Sequence, residues 1–199
     1  MAYNSTSWTT DSNTQAGSSG TTTMGGITLY ANFITGSTEA TAFAAGYHEL
    51  LSFENANYGV LAANPHLGND PNPATTFTIA DSAGNRASDL IPCLWYVPDN
   101  ITIDAVYHLE GADADASDTT RMHLMSYTYT SGTASVLTEG TLLAHSADIT
   151  NAGTTKSYNG TWAVDSGSVS AGKVISATFE SDTVNSDYSL QVRVKYHLS

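Results

Sequence analysis

Two nine-residue stretches decide the fold class of this chain: Ile101–Leu109 (ITIDAVYHL) and Leu190–Leu198 (LQVRVKYHL). In both, every second residue is apolar, and a period of two places those side chains on one face of a β-strand. The pattern predicts that the first strand buries Ile101, Ile103, Ala105, Tyr107 and Leu109. It predicts that the second strand buries Leu190, Val192, Val194, Tyr196 and Leu198.

The rest of the chain extends this β pattern. The alternation recurs at residues 27–33 and 175–179, and turn signals rich in Gly, Asn, Asp and Pro separate the runs. We count seven closely spaced strands between Ile91 and Leu198, which favours an antiparallel β-sandwich over βαβ units. The sandwich is predicted over 27–199, with a sub-boundary near 82–90 as an alternative. A short helix is predicted at Ser37–Ala45, and a Pro-containing loop at Asn64–Thr76.

Residues 1–26 have a different composition. They are mostly Ser, Thr, Gly, Asn and Gln and show neither helical nor strand periodicity, so they cannot form a core of their own. We predict an irregular N-terminal arm. Its aromatic residues Tyr3 and Trp8 are candidate partner-binding residues, because aromatic side chains are good anchors and poor solvating groups. The alternative is a tail without a partner.

The charge distribution excludes several classes of function. The net charge is −13, only six residues are Lys or Arg, and none precedes Arg86. Such a chain repels nucleic-acid backbones and anionic membranes, so we expect no nucleic acid and no membrane as partner. The N-terminus lacks the features of a signal peptide, and Cys93 is the only cysteine. These features predict synthesis in a cytoplasm and a buried free thiol.

Candidate catalytic and metal sites are weak. The acidic loop with Asp113, Asp115 and Asp118 lacks the Gly and Glu of an EF-hand, although a looser calcium site stays open. The six histidines have no metal-ligand spacing on one element, but two of His108, His123 and His197 could meet across a sheet. No hydrolase or phosphate-binding motif occurs. We therefore expect no catalytic residues, no metal and no cofactor, while carboxylate pairs from separate strands stay open.

The stretch Arg121–Thr130 is apolar on both faces. Met122 lies on one side, and Met125, Tyr127 and Tyr129 lie on the other. A strand with two apolar faces needs cover on both, from a subunit contact or from a loop. We predict that Met125, Tyr127 and Tyr129 form a subunit interface in a homo-oligomer, most simply a homotrimer, since closed symmetry removes exposed edges.

Several local phrases between Ile91 and Leu198 resemble β-sandwich virion proteins of tailed bacteriophages, especially from marine hosts. They are WYVP at 95–98, ITID at 101–104, GADAD at 111–115, TRMHLMSY at 120–127, NSDYS at 185–189 and VRVKYHL at 192–198. The resemblance implies a jelly-roll sandwich on the phage particle, often trimeric. It covers neither the first 90 residues nor any functional residue that can be carried over.

These observations lead to one expected function and two alternatives. We expect a virion structural protein, made in the host cytoplasm, that acts as a capsid decoration or cement protein docking on the major capsid protein. The first alternative is a tail-fibre or receptor-binding module that recognises a host surface glycan through exposed loops such as Gly111–Asp118. The second is a small glycan-active enzyme, which would need two close carboxylates in a cleft.

Overall fold

The computed structural model describes residues 15–16, 22–23, 28–36, 46–54, 65–79, 87–113, 116–153, 155–182 and 187–199. Eight strands build two antiparallel sheets. In chain order they are β1 (Leu29–Gly36), β2 (Glu49–Leu50), β3 (Ile101–Asp113), β4 (Thr119–Tyr129), β5 (Leu137–His145), β6 (Lys156–Thr161), β7 (Lys173–Ser181) and β8 (Asp187–Leu198).

The order of these strands is that of a jelly roll. Sheet I runs β1-β8-β3-β6, and sheet II runs β2-β7-β4-β5. Every neighbouring pair is antiparallel. Consecutive strands such as β1 and β2, β3 and β4, and β7 and β8 lie in opposite sheets, which is how two Greek keys form a jelly roll. The predicted fold class is therefore confirmed, and strands from both sides of residues 82–90 share one sandwich.

Short elements extend the two sheets. Ser52–Phe53 and Ser168–Val169 join sheet I, while Trp95–Tyr96, Ile149–Thr150 and Ala163–Val164 join sheet II. A one-turn helix at Ala87–Leu90 leads into a 3₁₀ turn at Ile91–Cys93. Among the described residues, no helix is long and apolar enough to cross a membrane.

The N-terminal predictions are tested only in part. Gln15–Ala16 pairs with Thr22–Thr23 as a small antiparallel ladder, so the arm is not wholly irregular. The remainder of 1–26 and the predicted helix at Ser37–Ala45 lie outside the described residues. The predicted loop at 64–76 is described from residue 65 and carries one isolated bridge, between His66 and Glu49.

The sandwich has an apolar core between its sheets, which we call the inter-sheet core. It contains Phe33 from β1, Val106 from β3, Leu124 from β4, Phe179 from β7 and Val192 from β8, all fully buried. Because these side chains come from alternating positions on their strands, the two inner faces interdigitate.

A second core lies on the other face of sheet II, and we call it the outer core. Residues 65–79 and 87–94, which we call the covering layer, pack Leu67, Phe77, Leu90 and Cys93 onto this face. The sheet contributes Leu50, Met125, Tyr127, Leu137 and Val174. Sheet II is therefore buried on both faces, which explains why β4 is apolar on both sides.

A β-bulge in β3 overturns part of the predicted burial pattern. Lys195 pairs with Ala105, but the next residue of β8, Tyr196, pairs with Ile103, so Asp104 is an extra residue in β3. A bulge reverses the facing of every residue that follows it. Val106, His108 and Glu110 consequently face the core, and the predicted core residues Tyr107 and Leu109 are exposed at 40% and 56%.

Candidate interaction surface

The outer face of sheet I carries an exposed patch of aromatic, apolar and basic side chains. The bulge at Asp104 brings Tyr107 and Leu109 to this face, beside residues of β8, and β8 in turn lies beside β1. Two of its three large apolar or aromatic residues are tyrosines, Tyr30 and Tyr107, exposed at 52% and 40%. We call the patch the sheet I face and define it by these residues: Tyr30, Asn32, Tyr107, Leu109, Gln191, Arg193 and Lys195.

Arg193 lies at the centre of the sheet I face. Its Cα is paired with Tyr107 on one side and with Asn32 on the other. Its Nε donates a hydrogen bond to Asn32 Oδ1 at 3.1 Å, and its guanidinium lies 5.9 Å from the ring centroid of Tyr30. The hydrogen bond and the ring hold the guanidinium in one orientation, so little side-chain entropy is left to lose on binding.

The charge of the sheet I face is opposite to that of the whole chain. Arg193 and Lys195 provide two of the six basic residues of a chain with net charge −13. In the part of the chain that the structure describes, neither of them is in an ion pair; the cationic partners are Arg121, Lys173 and histidines. Two uncompensated cations among exposed tyrosines suit an acidic partner surface.

The three predicted subunit-interface residues lie on the opposite side of the sandwich, in or beside the outer core. Met125 and Tyr127 are buried by this chain's own covering layer, and the Tyr127 hydroxyl donates to the carbonyl of Ala74 at 2.8 Å. The cover that β4 needs comes from a loop of the same chain. Met125 and Tyr127 therefore have no surface left for a second subunit, and Tyr129 alone is accessible, at 36%.

The other predicted sites divide between described and undescribed residues. Tyr3, Trp8 and Asp115 lie outside the described residues, so the anchor and calcium predictions stay predictions. Within the described ranges, no three His, Cys, Asp or Glu side chains converge to hold a metal ion. Cys93 is a buried free thiol as predicted, and burial together with the charge of Asp89 raises its pKa to about 12.

The three strand histidines that could have met across a sheet lie apart, and a different pair is in contact. His108 faces the inter-sheet core, where Trp162 Nε1 donates to its Nδ1 at 2.9 Å, and His197 is on the sheet I side beside Asp104 at 2.9 Å. His123 is on the outer face of sheet II, where its ring lies edge-on to His48 at 4.9 Å between centroids. Sequence periodicity could not find this contact, because His48 reaches β4 only through the crossover that places β2 beside β7.

Glu110 carries a buried carboxyl. It is one of the residues that the bulge turns into the inter-sheet core, and both of its oxygens lie 3.1 Å from the Thr120 hydroxyl. Burial raises the pKa of Glu110 to about 7, and the Thr120 hydrogen bond opposes the rise. The carboxyl is enclosed between the sheets, where it accepts a hydrogen bond from Thr120, so it lacks the exposed cleft that a glycosidic pair needs.

The residues of the sheet I face were predictable only in part. Arg193 and Lys195 stand out as a basic pair on one strand, whereas Tyr107 and Leu109 read as core residues until the bulge is known.

Comparison with known proteins gives no further guide, since no family model matches the chain and no curated protein matches its sequence.

Proposed function

We propose that this chain is a structural protein of a tailed-bacteriophage particle and acts as a capsid decoration protein. The observation that carries the proposal is the sheet I face, an exposed patch that joins two tyrosines and a leucine to a braced arginine. Tyr and Arg are the residues enriched at the centres of protein interfaces. Jelly rolls are frequent in viral capsids, although that argument is an analogy at the level of fold.

The proposed partner of the sheet I face is an acidic patch on the major capsid protein. Arg193 and Lys195 repel another copy of the same face but attract carboxylates. The acidic remainder of the chain is repelled by an acidic capsid surface, so attraction is confined to this face. The charge distribution thereby selects one docking orientation.

Other parts of the proposal rest on the sequence. We propose that the arm, with Tyr3 and Trp8, adds a second attachment to the virion, and that the chain assembles as a homotrimer. With Met125 and Tyr127 enclosed, a trimer contact would have to use other residues. We also propose that the protein lies on the outer surface of the particle.

Binding to particles tests the proposal. Particles that lack the protein are titrated with the purified chain and with Arg193→Ala or Tyr107→Ala. We expect each variant to bind at least about 10-fold more weakly, as for hot-spot residues, and the wild-type affinity to fall as salt rises. Tyr96→Ala is the matched control, because Tyr96 is an exposed tyrosine elsewhere, on sheet II.

Two results would contradict this docking mode. One is full binding by both face variants, and the other is an equal loss with Tyr96→Ala. A truncated chain of residues 27–199 separates the contribution of the arm from that of the sheet I face. It should fold and bind the particles more weakly than the full chain, and its binding should still depend on Arg193. If this chain fails to fold, the arm belongs to the core.

The alternative function, recognition of a host surface glycan, is favoured by the same face for another reason. Tyrosine rings next to the side-chain amides of Asn32 and Gln191 can stack on sugar rings and hydrogen-bond hydroxyl groups. A panel of host glycans tests this alternative. Glycan binding that Tyr107→Ala abolishes, together with a few copies at the tail rather than many on the shell, would replace the decoration proposal.

A further inference from the structure

A row of buried polar side chains crosses the outer face of sheet II at one end of the outer core. His123 on β4 is paired across the sheet with Thr178 on β7 and with His145 on β5. His48 precedes β2, and its ring contacts that of His123 edge-on. Both rings are 0% exposed. This row and the apolar outer core lie on the same face of one sheet.

Several polar atoms of this row have no hydrogen-bond partner among the residues that the structure describes. They include both ring nitrogens of His123 and the hydroxyls of Ser176 and Thr178. His66 of the covering layer also has an unpartnered Nδ1. Buried polar groups without partners are costly, so this end of the outer core is poorly stabilised.

His48 is the point at which the covering layer is attached to sheet II. Its backbone N–H donates to Gly68 and its carbonyl accepts from Leu67. Its Nε2 lies 2.6 Å from the carbonyl oxygen of Asp70. A carbonyl oxygen can only accept, so Nε2 carries a proton. The other ring nitrogen, Nδ1, lies 3.5 Å from the Glu180 carboxylate.

The two rings face different groups. Glu180 lies beside His48 Nδ1, whereas His123 has, among the described residues, neighbouring cationic or ionisable nitrogens instead of an acceptor. They are Arg121 on β4, His145 on β5 and His48 before β2. The remaining carboxylates nearby are already engaged, Asp148 with Arg121 at 3.5 Å and Asp165 with His145 at 2.7 Å. Glu49, paired with His66 through the backbone, is buried and also has a partner.

We propose that His48 and His123 form an acid-sensitive clasp that releases the covering layer, and so exposes the outer core, while the sandwich stays folded. A proton on His123 would have no acceptor in the closed row, so acid favours the open state, in which this ring reaches water. Opening would present Leu67, Phe77 and Tyr127 to an apolar partner or to another copy of the chain.

The pKa of His123 agrees with this geometry. Burial first, and then the charges of His48, Arg121 and His145, lower it to about 3 from 6.5. A lowered histidine pKa gives stability that is complete above pH 6.5 and is lost as the pH falls towards 3. The shift corresponds to up to roughly three orders of magnitude in the opening equilibrium. The inter-sheet core resists acid better because Glu110, with its raised pKa, favours the folded state there as pH falls, although His108 acts in the opposite direction.

Hydrogen exchange on the full chain from pH 7.5 to 4 tests the clasp, with rates corrected for the intrinsic pH dependence of exchange. We expect the amides of Leu67, Phe77 and Gly140, whose hydrogen bonds join the covering layer to the rest of the chain, to lose protection about 10-fold by pH 5.5 and about 100-fold by pH 4.5. The paired amides of β3 and β8 should keep theirs. Simultaneous loss in both sets would mean global unfolding and would overturn the proposal.

Variants then identify the responsible ring. His123→Leu should move the midpoint of opening at least one pH unit lower, and the control His197→Gln, at a partly buried histidine on sheet I, should not move it. An unchanged midpoint in His123→Leu would overturn the proposal. If that variant does not fold, ring titration by NMR in the wild type decides, since His123 must titrate at the opening midpoint. Opening by EDTA at pH 7.5 would show a bound metal instead and would also overturn it.

Discussion

The two cores of this protein share sheet II but are built in different ways. The inter-sheet core is closed by strands on both sides, and long antiparallel ladders fix the register of its side chains. The outer core is closed on one side by the covering layer, which has one short helix, one 3₁₀ turn and two isolated bridges. It also contains the buried histidine row. We infer that the first core sets the fold and that the second is the part that can open.

The largest expected effect comes from truncating the inter-sheet core. Phe179→Ala removes a fully buried ring that lies 4.9 Å from the ring of Tyr188. It should lower the free energy of unfolding by about 3–5 kcal/mol in urea titrations. Leu67→Ala in the outer core is the variant for comparison. Its destabilising effect should appear mainly as faster hydrogen exchange in residues 65–79. Equal losses of global stability would show that the cores are one cooperative unit.

The second effect concerns pH and Glu110. The folded pKa of about 7 lies above the ordinary value of 4.5, so the wild type loses stability as pH rises through that window. Above pH 7 the ionised Glu110 carboxylate lowers the free energy of unfolding by on the order of 3 kcal/mol. Glu110→Gln should remove this dependence and raise the melting temperature at pH 8. Glu54→Gln, at an exposed carboxyl, is the control, and parallel pH curves for the wild type and Glu110→Gln would contradict the argument.

The third effect tests how tightly the covering layer is seated. A Cβ on Gly140 would lie 2.6 Å from the Cα of Thr75 and 2.6 Å from Cε1 of Tyr127. Because the backbone of Thr75 cannot move away without strain, Gly140→Ala should lower the free energy of unfolding by about 1–3 kcal/mol. Hydrogen exchange should become faster in the covering layer before it becomes faster in sheet I. Thr141→Ala, at the exposed neighbouring position, should change stability little. A Gly140→Ala protein as stable as Thr141→Ala would mean that the layer is already loose.

The difference between the cores also explains what the sequence could and could not predict. Alternation along β1, β7 and β8 predicts the inter-sheet core, because strand burial follows a period of two. The covering layer has no period, so the sequence does not decide between a subunit contact and a loop as the cover of β4. The structure places the loop there, against Met125 and Tyr127. The bulge at Asp104 has no local signal either. It hides Tyr107 and Leu109 of the sheet I face among predicted core residues.

The smallest effect isolates one hydrogen bond between the covering layer and sheet II. Tyr127→Phe keeps the ring in the outer core but removes the hydroxyl that donates to Ala74 at 2.8 Å. The lost hydrogen bond should lower the free energy of unfolding by about 1 kcal/mol, and more if the carbonyl stays out of reach of water. Tyr129→Phe, on the same strand but 36% exposed, should have almost no effect. Local exchange at Phe77 should rise in Tyr127→Phe alone; equal behaviour of the two variants would show that the hydroxyl does not hold the layer.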